Sequence, residues 1–144
     1  MKTIQEKMAT PARPEVKFLK KQMGASFPPG KMLIPTPVLI DKHVRKIRKG
    51  STITVNQLRD SLAKELKADY TCPLTTGIFL RVVAENAEHE RGLGKTRIAP
   101  YWRVIKNDGG MNPKFPGGVK SQAKKLKQDG VEVVLKGKSL KVIK

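Results

Sequence analysis

The chain has one cysteine, two histidines and seven aromatic residues among 144, and each scarcity closes off a class of function. Cys72 has no partner for an internal disulfide, which fits a reducing compartment. His43 and His89 lie far from it and from each other, so no zinc-ligand spacing exists and neither metal nor other cofactor is expected. No apolar run approaches the ~20 residues that span a bilayer. No segment sets a strong apolar face against a basic one over several turns, so a membrane surface is not an expected partner either. The N-terminus shows no apolar core of a secretory signal, and a cytoplasmic protein is expected. A hydrophobic fraction of 38% allows a modest core, enough for one domain. Acidic residues are also few: 12 Asp+Glu stand against 30 Lys+Arg, a net charge of +18. A field of that sign favours polyanions, nucleic acid first, and such like charge argues for a monomer.

Residues 1–37 hold six of the ten prolines and seven Lys/Arg against two acids, with poor periodicity. They read as a basic, largely extended arm, either solvated or packed on the domain, or a strap along a phosphate backbone. From Thr36 the pattern turns helical. Thr36 can cap and Pro37 can take the first helical position, and Ile40, Val44 and Ile47 then share a face. Thr54 and Gln57 make a capping-box pattern for a second helix carrying Val55, Leu58, Leu62 and Leu66. A third helix is predicted from Thr75 or Thr76, with Ile78, Phe79, Val82 and Val83 as its apolar face, fading by Asn86. Residues 88–97 read as a charged loop, and Pro100–Ile105 as a turn feeding a strand. Val119, Ala123 and Leu126 mark a basic helix ending at Asp129-Gly130. Val131–Leu135 and Leu140–Ile143 read as a β-hairpin. This order predicts a mainly α fold with a small β-hairpin, a winged-helix/helix-turn-helix domain over 38–144.

The segment Ile98-Ala-Pro-Tyr-Trp-Arg-Val-Ile105, with Asn107-Asp108-Gly109, Gly117-Gly118 and Asp129-Gly130 after it, resembles the active-site region of the methylated-DNA–protein cysteine methyltransferases. The resemblance covers roughly Val38 to Gly130 and takes in Thr52–Leu58 ahead of the second helix. Pro100, Arg103, Gly117 and Gly118 keep the frame. That family carries Pro-Cys-His-Arg-Val, with the Cys as alkyl acceptor and the His as its proton relay; here those positions are Tyr101 and Trp102. An alkyl acceptor needs a thiolate made by lowering a thiol pKa of ~8.5. A phenol of pKa near ~10 is a far weaker nucleophile toward carbon, and an indole N–H donates only, so it cannot act as a base. The resemblance therefore implies DNA binding without transfer, and no enzyme. The alkyltransferase-like proteins, which lose the Cys and bind alkylated guanine without repairing it, are the similar group; this chain departs by also losing the His.

The resemblance further implies that the third helix enters the DNA and that a base is flipped beside the active-site segment. The family's base-replacing Arg aligns with Gly77, and Thr75, Thr76 and Arg81 are the neighbouring candidates. Phe115 aligns with a pocket-wall aromatic, so Tyr101, Trp102 and Phe115 are the candidate base pocket, unless the first two simply fill it. Arg103 is expected to support the loop. Lys106, Lys114, Lys120 and Lys124 are candidate phosphate contacts, each adding about 0.9 to the salt slope of duplex binding. Three functions stay open at this point. One is a non-catalytic protein on double-stranded DNA that senses modified guanine, associated with the nucleoid and handing the lesion to a repair protein. Another is an architectural DNA- or RNA-binding protein with the pocket filled. The third is a transferase using Cys72.

Overall fold

The computed structural model describes residues 2–143; Met1 and Lys144, the ends of the two expected segments, lie outside it. The N-terminal stretch is more structured than an extended arm. Helix α1 (Ile4–Met8) is capped by Thr3, whose hydroxyl accepts from the Glu6 N–H. Strands β1 (Glu15–Leu19) and β2 (Gly30–Ile34) then form an antiparallel hairpin, Glu15 opposite Ile34 and Leu19 opposite Gly30. Its inner strand carries Met32 and Leu33 into the core. Two buried residues in a proline-rich stretch leave almost no periodic signal, and the sequence pattern misses the hairpin for that reason.

The two helix starts predicted from capping chemistry are observed. The Thr36 hydroxyl accepts from the Leu39 N–H at 3.0 Å, with Pro37 opening α2 (Pro37–Val44). A two-residue strand β3 (Ile53–Thr54) leads into α3 (Val55–Glu65), where Thr54 and Gln57 close a reciprocal capping box. Strand β4 (Tyr70–Thr71) lies parallel to β2 and completes a three-stranded sheet. Arg59 of α3 locks this junction by donating two hydrogen bonds to the Thr71 carbonyl, while the Thr71 hydroxyl donates to the Arg59 carbonyl.

The third helix departs most from expectation. Helix α4 runs from Pro73 to Gly92, so it starts earlier and absorbs half of the segment read as a charged loop. Its buried stripe is Thr76, Leu80, Val83, Ala84 and Ala87; Ile78, placed on the inner face by sequence pattern, points outward. The charged half remains helical because its acids find cations on other elements. Arg45 reaches the Glu90 carboxylate at 3.5 Å, and Lys95 reaches it at 3.1 Å.

A 3-10 turn at Tyr101–Arg103 leads into β5 (Val104–Ile105), which pairs parallel with β3. Helix α5 (Gly118–Gln128) follows, and β6 (Val133–Lys136) with β7 (Ser139–Val142) form the expected terminal hairpin. Gly117 opens α5 at φ +81°, where a Cβ would stand 2.6 Å from that of Ser121, so the turn demands glycine. With five helices and three small sheets among the described residues, the fold is mixed α/β rather than mainly α. The larger core joins α2, α3 and α4 to Tyr101 and Phe115. A smaller one lies between α5, Met111 and the hairpin, and Trp102 packs against both.

Candidate nucleic-acid interface

The segment Pro100–Arg103 is held from three sides. The Tyr101 hydroxyl donates to Glu88 on α4 at 2.5 Å. The Trp102 indole N–H donates to Asp129 beyond α5 at 3.0 Å. Arg103 donates through Nε to the same carboxylate at 2.7 Å and through Nη1 to the Ile47 carbonyl at 2.7 Å. Buried Gln122 of α5 completes the hold. Its amide donates to the carbonyls of Trp102 and Val104, both at 3.0 Å, and its oxygen accepts the Asn112 N–H at 2.7 Å.

Within this frame the three aromatics pack on each other. The Tyr101 ring meets Trp102 edge-on at 5.3 Å and Phe115 at 5.1 Å, in the edge-to-face geometry that aromatic quadrupoles prefer. Tyr101 is 1% exposed and Phe115 3%, so neither ring is open to a base from outside. Trp102 is half-buried, with the guanidinium groups of Arg91 and Arg103 over its ring, 5.9 and 5.6 Å from the ring centre.

Charge follows from these contacts. Burial pushes the Tyr101 phenol well above its ordinary value, and the hydrogen bond and charge of Glu88 push it further. Burial also pushes Glu88 up, but hydrogen bonds from Tyr101 and Arg91 and the charge of Lys125 outweigh it, holding this carboxyl below its ordinary value. Asp129 behaves likewise: burial raises it, and Arg103 and Trp102 bring it below. Two carboxylates thus clamp a phenol that stays protonated and an indole that can only donate. The arrangement has the chemistry of a structural anchor.

The outer face of α4 differs. Thr76 is a candidate contact by sequence, but it is buried and its hydroxyl donates to the Cys72 carbonyl at 2.7 Å. Thr75 is half-buried, with its hydroxyl oxygen shielded and unpartnered among the described residues. Cys72 itself is buried at the head of the helix. What α4 presents outward is Leu74, Gly77, Ile78 and Arg81. They line a groove of about 950 Å³ whose far wall is formed by Lys106 and the loop Asn112–Lys114.

No protein-family model matches the chain, and no curated protein matches it. Solved structures do. S. pombe Atl1, in complex with damaged DNA containing O6-carboxymethylguanine, is similar over 74% of this chain and 87% of its own, at TM-score 0.52 and 16% identity. S. pombe ATL in complex with DNA is similar over 75% of this chain and 87% of its own, at TM-score 0.53 and 17% identity. The chain has the fold of an alkyltransferase-like protein.

On that fold the candidate lysines fall around the groove and its continuation. Lys106 and Lys114 stand on the wall facing α4, and Lys106 and Lys120 border a second cleft with Lys138 and Lys141 of the hairpin. Lys120 and Lys124 line a third with Lys127 and Leu140. Ion pairs among the described residues engage Lys7, Lys42, Lys95, Lys125 and Lys141, while Lys106, Lys114, Lys120 and Lys124 are exposed and outside them. Sequence reasoning passes over Leu74 and assigns Ile78 to the inner face; the exposure of both emerges only once the α4 stripe is known. It also misses Glu88, Gln122 and Asp129 as the anchors of the aromatic segment. A capping-like reading of Asp129-Gly130 marks a helix end but gives no sign that the carboxylate turns back onto Arg103.

Proposed function

We propose that this chain is a DNA-binding protein of the alkyltransferase-like kind that performs no alkyl transfer. The observation that carries the reading is the state of Pro100–Arg103. The position of an alkyl acceptor is occupied by a phenol locked onto Glu88, and that of its base by an indole bonded to Asp129. A protonated phenol closed off from solvent supplies no nucleophile for alkyl transfer. Duplex DNA as the partner is supported by the DNA in both S. pombe complexes of this fold and by the net charge of +18. We read α3 and α4 with the hairpin β6–β7 as a winged helix. Helix α4 faces the bases, and Lys106, Lys114, Lys120 and Lys124 face phosphates. On this reading the protein acts as a monomer on the nucleoid, and with Tyr101 and Phe115 buried, its affinity does not depend on a modified base.

A second reading keeps damage sensing, favoured by one observation: the groove beside Ile78 and Pro113 has the volume to receive an extruded guanine. Such a sensor would hand the lesion to a repair protein. Equilibrium binding to matched duplexes with and without one O6-methylguanine, followed by Trp102 fluorescence at two salt concentrations, separates the two. Equal affinities that fall with a log–log salt slope of about 3–4, as four phosphate contacts require, are expected. A salt-independent affinity overturns the DNA-binding reading. Tighter binding to the lesion establishes the second reading in place of the first.

A further inference from the structure

The groove beside α4 is bordered by an apolar ridge that the fold itself leaves uncovered. Leu74 is 64% and Ile78 51% exposed, and they lie one turn apart on the same outward ridge. Between them stands Gly77, where an added Cβ would meet nothing within 4 Å. Its φ is not in the left-handed region, and a glycine inside a helix is destabilising relative to alanine. Neither packing nor backbone geometry of this protein asks for glycine here. The notch lets something outside the chain come up against the helix backbone.

The surroundings of this ridge indicate what that something is. Lys2, Lys7, Arg81, Lys106 and Lys114 line the same groove, against one carboxylate, Glu85. That carboxylate is already neutralised by Lys7 at 3.5 Å and Arg81 at 3.3 Å. An apolar ridge between cationic walls complements a strand that is anionic outside and apolar between its bases. Apolar side chains of this size, leucine and isoleucine among them, are the ones proteins insert between base steps, unstacking them and kinking the duplex.

We propose that Leu74 and Ile78 form an apolar wedge that enters a base step of duplex DNA. Gly77 is the notch through which the opened strand passes against the α4 backbone. Lys2 and Lys7, carried on the N-terminal segment, form the second cationic wall, so that segment belongs to the interface. The proposal rests on the DNA-binding reading above, and it makes the distortion of DNA independent of any base-replacing arginine.

The test uses the full chain and short duplexes carrying 2-aminopurine at successive positions, together with a duplex labelled at both ends for energy transfer. The wild-type protein is expected to raise 2-aminopurine emission at one step and to shorten the end-to-end distance. The double variant Leu74→Ser/Ile78→Ser should lose both signals and bind several-fold more weakly, with an unchanged salt slope and a melting temperature lowered only slightly, since both side chains are more than half exposed and serine is a weaker helix former. If the wild-type protein binds the duplex without either signal, or the double variant keeps both, the wedge is overturned while DNA binding stands. If the wild-type protein has no affinity for duplex, the DNA-binding reading fails and takes the wedge with it. Sedimentation of the free protein covers the remaining occupant: a dimer dissolved by the double variant would assign the ridge to a second copy of the chain and overturn the proposal.

Discussion

The two halves of α4 are built for opposite purposes. Over its C-terminal half every acid is engaged: Glu85 with Lys7 and Arg81, Glu88 with Tyr101, Arg91 and Lys125, Glu90 with Arg45 and Lys95. Over its N-terminal half the outward Leu74, Gly77 and Ile78 are uncovered and face exposed lysines, and only Arg81 at its end is paired. The inner stripe is continuous through both halves, so packing alone does not distinguish them. The difference lies in which groups on the outer side have been given partners inside the protein. The satisfied half fixes the aromatic segment; the unsatisfied half is available to a ligand.

The aromatic segment that this half anchors breaks hardest at Asp129, beyond α5. Removing this carboxylate by Asp129→Ala leaves the Arg103 guanidinium, 13% exposed, with only the Ile47 carbonyl, and the Trp102 N–H without an acceptor. Breaking a buried pair from one side costs about 3–5 kcal/mol, so urea unfolding should show a loss of at least about 3 kcal/mol and a red-shifted Trp102 emission. Glu88→Ala orphans the buried Tyr101 hydroxyl and should cost about 1–3 kcal/mol. Tyr101→Phe removes the donor instead and leaves Glu88 with Arg91 and Lys125, so its cost should be about 1 kcal/mol. A transferase mechanism would make Tyr101→Phe inactive; the anchor reading leaves its DNA affinity unchanged.

Acid should loosen the anchoring of the aromatic segment selectively. Glu88 and Asp129 both titrate below their ordinary values of 4.5 and 3.8 in the folded protein. A depressed carboxyl contributes stability that is complete above its unfolded value and is lost as pH falls through the folded one. The urea midpoint should therefore hold from neutrality to about pH 5 and drop below about pH 4. Glu88→Gln, which cannot be protonated, should show a lower midpoint at neutral pH and a shallower drop in acid. An equal drop in this variant would place the acid sensitivity elsewhere.

What the sequence discloses follows the range of the interactions involved. The starts of α2 and α3 are written within four residues each, in Thr36-Pro37 and in Thr54 with Gln57, and they are read correctly. The terminal hairpin is likewise local. The parallel pairings of Met32–Leu33 with Tyr70–Thr71 and of Ile53–Thr54 with Val104–Ile105 are two residues long and join distant segments, so no periodicity announces them. The extent of α4 is obscured because Glu88 and Glu90 look like loop residues until Tyr101 and Arg45 arrive from elsewhere in the chain. The aromatic segment is visible through its frame, Pro100 and Arg103 around two altered positions. Its anchors are not, since Glu88, Gln122 and Asp129 lie 13 to 27 residues from Tyr101 and Trp102, which they hold, and carry no local mark.

The open half should respond in affinity rather than in folding. Lys106→Ala with Lys114→Ala removes two exposed charges that face α4 and take part in no ion pair among the described residues. The pair should lower the salt slope of duplex binding by about 1.8 and leave the melting temperature unchanged; Lys42→Ala, whose ammonium pairs with Glu65 at 3.8 Å outside the groove, should leave the slope alone.

The smallest substitution sharpens the contrast most, because its two effects have opposite signs. Gly77→Ala adds a methyl group into open space on a helix, which should raise stability by about 0.5–1 kcal/mol. If the position served only the fold, nothing else would change, and the variant would simply be a better protein. If the opened strand passes against the backbone at Gly77, the same methyl group occupies the notch, and duplex affinity should fall several-fold while the melting temperature rises. Alanine at any other exposed helix position lacks this combination. A variant that gains stability and keeps full affinity would mean that the outer half of α4 is merely unfinished surface, and the difference between its two ends would then concern the anchor alone.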